Sequence, residues 1–154
     1  MPKGARRLPD LCVDWVARAD ALIHAGDVAT VGVLRKLEEI CPEVHAVHGN
    51  VDEPALLRML PASRQLELGG RRIGLVHDAG PARGRLGRLR ALFPDAEAVV
   101  FGHSHLPLHE ASASFQIFNP GSPTERRRAP HRTMGLLRVS RLRLRFEHVS
   151  LEAQ

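Results

Sequence analysis

The sequence predicts a mixed α/β fold, a sheet packed with helices. Three features predict it. Short apolar strands alternate with amphipathic helices as far as Phe101, the chain from Leu106 onward reads as strands, and four strands break into glycine, histidine and other polar residues. A chain of 154 residues that is 44% hydrophobic fits one domain, residues 1–154, burying roughly two-thirds of its unfolded surface.

The elements follow in order. Pro9 to Arg18 is helical in pattern, with Leu11, Val13, Trp15 and Val16 at its apolar positions. Ala21 to His24 is a short buried strand that breaks at Ala25-Gly26-Asp27. Thr30 to Ile40 reads as a helix presenting Val33, Leu34 and Leu37. Val44 to Val47 is the next strand, and Pro54 to Leu60 a short helix with proline in its first turn. Gln65 to Leu68 and Arg72 to Val76, separated by Gly69-Gly70, form a hairpin. Leu86 to Phe93 is helical and Ala98 to Phe101 a buried strand. Leu108–Ala111, Phe115–Phe118, Met134–Val139 and Leu142–Val149 follow as strands that form or complete a second sheet.

Composition excludes several classes. No apolar run approaches the ~20 residues of a membrane span, and the basic start is followed by no apolar signal-peptide core, so the expected compartment is the cytoplasm. Cys12 and Cys41 have no metal or disulfide spacing and are expected reduced and buried. The net charge of +5 invites a nucleic-acid reading. Arg141, Arg143 and Arg145, however, alternate with Leu142, Leu144 and Phe146, as on a strand with one wet face. One Trp, five Phe and no Tyr also leave few bases a stacking partner. Nucleic acid is the runner-up partner.

The strand ends carry the chemistry. HAGD at 24–27, HGN at 48–50, VHD at 76–78 and GHSH at 102–105 each follow an apolar strand. Open sheets place their sites outside the carboxyl ends of strands, so these segments are expected to converge. Asp27, Asn50, His77, His103 and His105 then form an oxygen-and-nitrogen donor set without thiolate. That set suits a first-row divalent ion (Mn, Fe, Co, Ni or Zn). Two such ions about 3.5–4 Å apart activate water and hold phosphoryl oxygens.

The order GDV (26–28), GNVD (49–52), VHD (76–78) and GHSH (102–105) resembles the calcineurin-like metallophosphoesterases, whose motifs run DxH, GDx, GNH[DE], H and GHxH. FNPGSPTERRR (118–128) is similar to a stretch of their small bacterial single-domain phosphodiesterase subgroup. The resemblance covers about residues 20–139. It implies a four-layer αββα sandwich with metals at the strand ends between two sheets. It makes Asp27 the bridging ligand, with Asn50, His77 and His103 on one metal and His105 on the other, and Mn²⁺ the expected ion. The implied activity is hydrolysis of a phosphodiester or phosphomonoester by metal-activated water. An interaction scaffold on the same fold, with little or no hydrolysis, is the alternative.

Two departures matter. Val51 stands where the family carries a histidine that assists leaving-group protonation. The DxH motif, which ends the family's first strand, is absent, and the chain begins at Met1-Pro2-Lys3 where that motif should just have ended. The expectation is a sandwich lacking its first strand, with one well-furnished metal position and a second held only by Asp27 and His105. Of the remaining polar residues, His24 is read as packing or supporting a ligand. His45 and His48 are read as exposed or packing, and His109, His131 and His148 as surface. Asp52 and Asp78 are loop or helix-start residues or orient a ring. Asn119, Gly121 and Ser122 form a turn shaping the cleft wall, and Arg126–Arg128 are a solvated charge run.

Overall fold

The computed structural model describes residues 7–152; the expectation for Met1 to Lys3 lies outside them. Helix α1 (Asp10–Ala17) leads to strand β1 (Leu22–His24). Helix α2 (Val31–Ile40) returns the chain to β2 (Val44–Ala46), which pairs parallel with β1. Thr30 caps α2 by accepting from the Val33 amide at 3.3 Å. The Glu53 carboxylate accepts a second helix-start amide, Val31 N–H, at 2.7 Å. Helix α3 (Pro54–Met59) starts on its proline, whose missing N–H costs nothing at a helix start.

Strands β3 (Ser63–Leu68) and β4 (Arg71–Val76) form the expected hairpin around Gly69-Gly70. Helix α4 (Arg85–Leu92) follows, then β5 (Ala98–Phe101), β6 (Leu108–Ala111) and β7 (Gln116–Asn119). The chain closes with the hairpin β8 (Thr133–Val139) and β9 (Leu144–Ser150). The strand order is β3-β4-β5-β7-β6 in one mixed sheet, with β1-β2 and β8-β9 as separate pairs.

Hydrophobic packing arranges these as four layers. Both faces of β5 are buried. Ala98 and Val100 meet Val47, Phe118, Leu144 and Phe146 in the core between sheets. Val99 and Phe101 face Leu89 and Phe93 of the α4 segment on the other side. At the opposite end of the stack, Cys12 and Val16 of α1 pack with Cys41, Leu22 and Met134. The layers therefore run helix, strand pairs, five-stranded sheet, helix, matching the sandwich that the resemblance implies.

Two details correct the sequence reading. β6 and β7 join the hairpin and β5 in one sheet, and β8-β9 alone lies in the layer of β1-β2. The reason is that Ile117 and Phe118 are both buried, one on each face, as a strand inside a sheet requires. Leu142 is 90% exposed, because Ser140 and Arg143 close a turn there and β9 starts two residues later. The arginines around α4 are anchored by polar and ring contacts. Arg88 donates to the carbonyls of Ala79 and Pro81, while Arg85 and Arg90 lie over the rings of Phe101 and Phe115.

Cys12 and Cys41 are buried and free, and burial pushes the Cys12 thiol up to about 11. His24 is a sharper case. Burial, with a lesser contribution from nearby positive charge, pushes its imidazole down to about 3, and its Nδ1 has no hydrogen-bond partner. In the unfolded chain it protonates near 6.5. The unfolded state therefore binds the extra proton first, and stability falls as pH drops from about 6.5 toward about 3. Urea midpoints measured across that window should decline, and His24→Leu should flatten the slope.

Candidate metal centre

Four of the five predicted side chains meet at the carboxyl ends of β1, β2, β4 and β5. Asn50 Oδ1 lies 2.9 Å from His77 Nε2 and 3.0 Å from His103 Nδ1. The two ring nitrogens are 3.2 Å apart, with the rings edge-to-face at 88°. Asp27 Oδ2 is 3.4 Å from His77 Nε2. Among the described residues no three His, Cys, Asp or Glu side chains form a cation site by themselves; the amide oxygen of Asn50 is what joins the set.

Neighbouring groups aim the donors. His77 Nδ1 sits 2.7 Å from the Ala25 carbonyl, which can only accept, so Nδ1 carries the proton and Nε2 presents its lone pair inward. Asn50 Oδ1 has no proton either. Lone pairs of His77 and Asn50, with the Asp27 carboxylate beside them, thus face one small volume, a donor arrangement that fits a divalent cation. His105 stands apart. Its Nδ1 donates to the Glu125 carbonyl at 2.9 Å, leaving Nε2 as its donor atom, and it lines the same cavity as Asp27, His77 and His103. Burial, then the charge of Arg127, lowers its pKa, which keeps the ring in the neutral form a metal needs.

The backbone is strained where the chemistry sits. Asp27, His103 and His105 have φ of 60°, 64° and 61°, in the left-handed region that non-glycine residues avoid. Two glycines make room for the donors. A Cβ on Gly26, itself at φ 91°, would stand 2.5 Å from His77 Nδ1; one on Gly49 would stand 2.1 Å from Asp27 Oδ1.

Residues the sequence reading left as loop or turn hold this arrangement together. Asp52 accepts from the amides of Ala29 at 2.6 Å and Gly49 at 2.7 Å, tying the loop after β1 to the loop after β2. Val51 donates its amide to Asp27 Oδ1 at 3.1 Å. Asn119, fully buried, donates to the Gly102 carbonyl and Ser104 Oγ and accepts from Gly121 N–H, so it fastens the GHSH loop to the end of β7. The NPGS segment was its only signal in sequence. Asp78 serves its own loop, accepting from Gly80 N–H. His148 stacks on Phe118 and bonds the Asn119 carbonyl. Arg127 is tethered by a 3.1 Å bond from Nη1 to the His103 carbonyl, which distinguishes it within the arginine run.

Helices on both outer faces, two layers of strands between them and a cluster of nitrogen and oxygen groups at the strand ends define an α/β sandwich with a candidate metal centre at its strand ends. Residues 4–142 match the calcineurin-like phosphoesterase superfamily domain. The chain belongs to that family, which implies divalent-metal binding. A probable metallophosphoesterase of Methanothermobacter thermautotrophicus is 32% identical over 126 residues, covering 80% of this chain and 72% of that protein. A probable metallophosphoesterase of Methanocaldococcus jannaschii is 33% identical over 78% of this chain and 62% of its own length. Among solved structures, a Thermotoga maritima protein is 29% identical with a TM-score of 0.72, over 93% of this chain and 88% of that one. Zinc-bound Vps29 of Entamoeba histolytica has a TM-score of 0.76 at 21% identity, over 99% and 94% of the two chains, and shares the fold. Among the described residues no helix is long and apolar enough to cross a membrane.

Proposed function

We propose that this chain is a divalent-metal-dependent phosphoesterase acting on phosphodiesters or phosphomonoesters. The observation that carries the proposal is the cluster in which His77 Nε2 lies within 3.4 Å of donor atoms of Asp27, Asn50 and His103. Asp27, Asn50, His77 and His103 would hold one ion, and Asp27 with His105 would face a second. Mn²⁺ is the ion we favour, from the all-oxygen-and-nitrogen donors. Such ions supply Lewis-acid charge to phosphoryl oxygens and a water acidic enough to ionise near neutral pH.

The chain's own residues do the rest. Ala25 and Glu125 carbonyls fix the tautomers of His77 and His105, so both rings arrive with a lone pair ready. The Val51 amide holds Asp27 in its strained conformation. The Val51 side chain carries no proton, so the site favours esters whose leaving group departs without protonation, such as aryl phosphates. Arg127 sets a guanidinium beside the His103 backbone, where it meets the extra negative charge of a monoester.

Two assays test this. With Mn²⁺ present, bis(p-nitrophenyl) phosphate should be hydrolysed and EDTA should abolish the reaction; inertness with every first-row divalent ion refutes the enzyme reading. Arg127→Ala should raise KM for p-nitrophenyl phosphate about tenfold, the equivalent of ~1.4 kcal/mol, and change the diester less. The second reading, an interaction scaffold, is favoured by Val51, Leu57 and Met59, which stand 44%, 46% and 46% exposed on and before α3. A scaffold retains its partner in EDTA and turns over no ester.

A further inference from the structure

We infer that Ser122 is a positioning residue for the second ion: it holds the Glu125 carbonyl against His105 and so decides which ring nitrogen His105 presents. The inference rests on the phosphoesterase reading for that second ion, while the ring geometry behind it belongs to the metal-free chain.

The segment 119–127 reaches every residue of the GHSH loop. Asn119 Nδ2 donates to the Gly102 carbonyl at 2.9 Å and to Ser104 Oγ at 3.1 Å. Arg127 Nη1 donates to the His103 carbonyl at 3.1 Å, and the Glu125 carbonyl accepts from His105 Nδ1 at 2.9 Å. The loop needs such support. His103 and His105 both sit at positive φ, and strained residues persist where their surroundings over-determine them.

The segment divides at Ser122. Its first half is pinned to strands. Asn119 closes β7, Thr133 Oγ1 at the start of β8 donates to the Pro120 carbonyl at 2.8 Å, and the Thr133 amide donates to the Ser122 carbonyl at 3.2 Å. The second half has no helix or strand to set its path. Ser122, only 6% exposed, joins the two halves. Its Oγ accepts from the Glu125 amide at 3.1 Å, closing a local turn of the kind serine favours. That turn fixes the main chain at Glu125, and with it the carbonyl that meets His105.

A neutral imidazole has one proton for two nitrogens, and the hydrogen bond at one decides what the other offers. With the Glu125 carbonyl in place the proton stays on Nδ1 and Nε2 keeps its lone pair. The His105 side chain is 14% exposed, so water does not freely replace that carbonyl. Without the turn the proton distributes over both nitrogens, and fewer rings are ready to ligate. Asp27 and His105 face the second ion, whereas Asn50, His77 and His103 join Asp27 on the first, so the loss falls on the second. The Glu125 carboxylate is not the agent, since its Oε2 lies 3.9 Å from His105 Nδ1, beyond hydrogen bonding.

Long-range ¹H–¹⁵N spectra of the metal-free chain, at a pH where the ring is neutral, read the His105 tautomer; calorimetric titration with Mn²⁺ reads the two ions. The parent should show His105 protonated at Nδ1. Ser122→Ala should shift the ring toward the Nε2-protonated form and weaken the second Mn²⁺ at least about tenfold, with the first little changed. Ser122→Thr, which restores the acceptor, should restore both readouts. Glu125→Ala, which keeps the carbonyl, should leave the tautomer as it is. The inference is overturned if Ser122→Ala keeps the parent tautomer, if Glu125→Ala shifts it, or if both ions weaken equally. A parent that binds no Mn²⁺ removes the phosphoesterase reading instead, and the tautomer comparison still decides the role of Ser122.

Discussion

Asp27→Asn is expected to lower Mn²⁺ affinity at least about 100-fold, since groups that merely orient a ligand already cost 10–100-fold when removed. The substitution is chosen to isolate charge. Asn tolerates the left-handed φ of 60° that Asp27 adopts, and its oxygen can still accept the Val51 amide at 3.1 Å. What disappears is the only carboxylate among the four converging donors, leaving neutral imidazoles and amides around the cation. Isothermal titration with Mn²⁺ measures the effect, and an unchanged urea midpoint shows that the fold survives. If Asp27→Asn binds Mn²⁺ as well as the parent, Asp27 is a loop residue and the proposed centre lacks its anion.

Gly49→Ala should be severely damaging for so small a substitution. The new Cβ would fall 2.1 Å from Asp27 Oδ1 and 2.5 Å from the Asp27 amide nitrogen. A flexible side chain could swing aside, but a backbone nitrogen cannot. Gly49 is also held by its own amide, bonded at 2.7 Å to the Asp52 carboxylate. Relief therefore requires separating the loop after β1 from the loop after β2, at a cost of about 1–3 kcal/mol. Urea denaturation should show that loss together with weakened Mn²⁺ binding. Gly87→Ala, where a Cβ meets nothing within 4 Å, should show neither and serves as the control.

Much of this architecture was legible from local pattern. Strands such as Ala98–Phe101 and helices such as Val31–Ile40 announce themselves through apolar runs and capping residues that act within a few positions. The converging side chains were legible for the same reason, since each stands within a few residues of the end of an apolar strand. What escaped is long-range. Asp52 could equally have been a helix-start residue, and only folding shows it holding amides 3 and 23 residues away. Asn119 reads as turn chemistry in NPGS, yet its work is done on Gly102 and Ser104, at the end of the neighbouring strand β5. Arg127 looks like its neighbours until its tether to His103 is seen. The placement of β6 and β7 likewise depended on pairing partners that periodicity does not name.

The central claim is that loops far apart in sequence aim their donors at one cation. Titrating the ¹⁵N-labelled protein with substoichiometric Mn²⁺ tests it directly, because paramagnetic broadening reports distance to the ion. Resonances of Asp27, Asn50, His77, His103 and His105 should broaden first and together, while those of His45 and His131 persist. Broadening centred on another cluster of side chains, or none up to millimolar Mn²⁺, would contradict it.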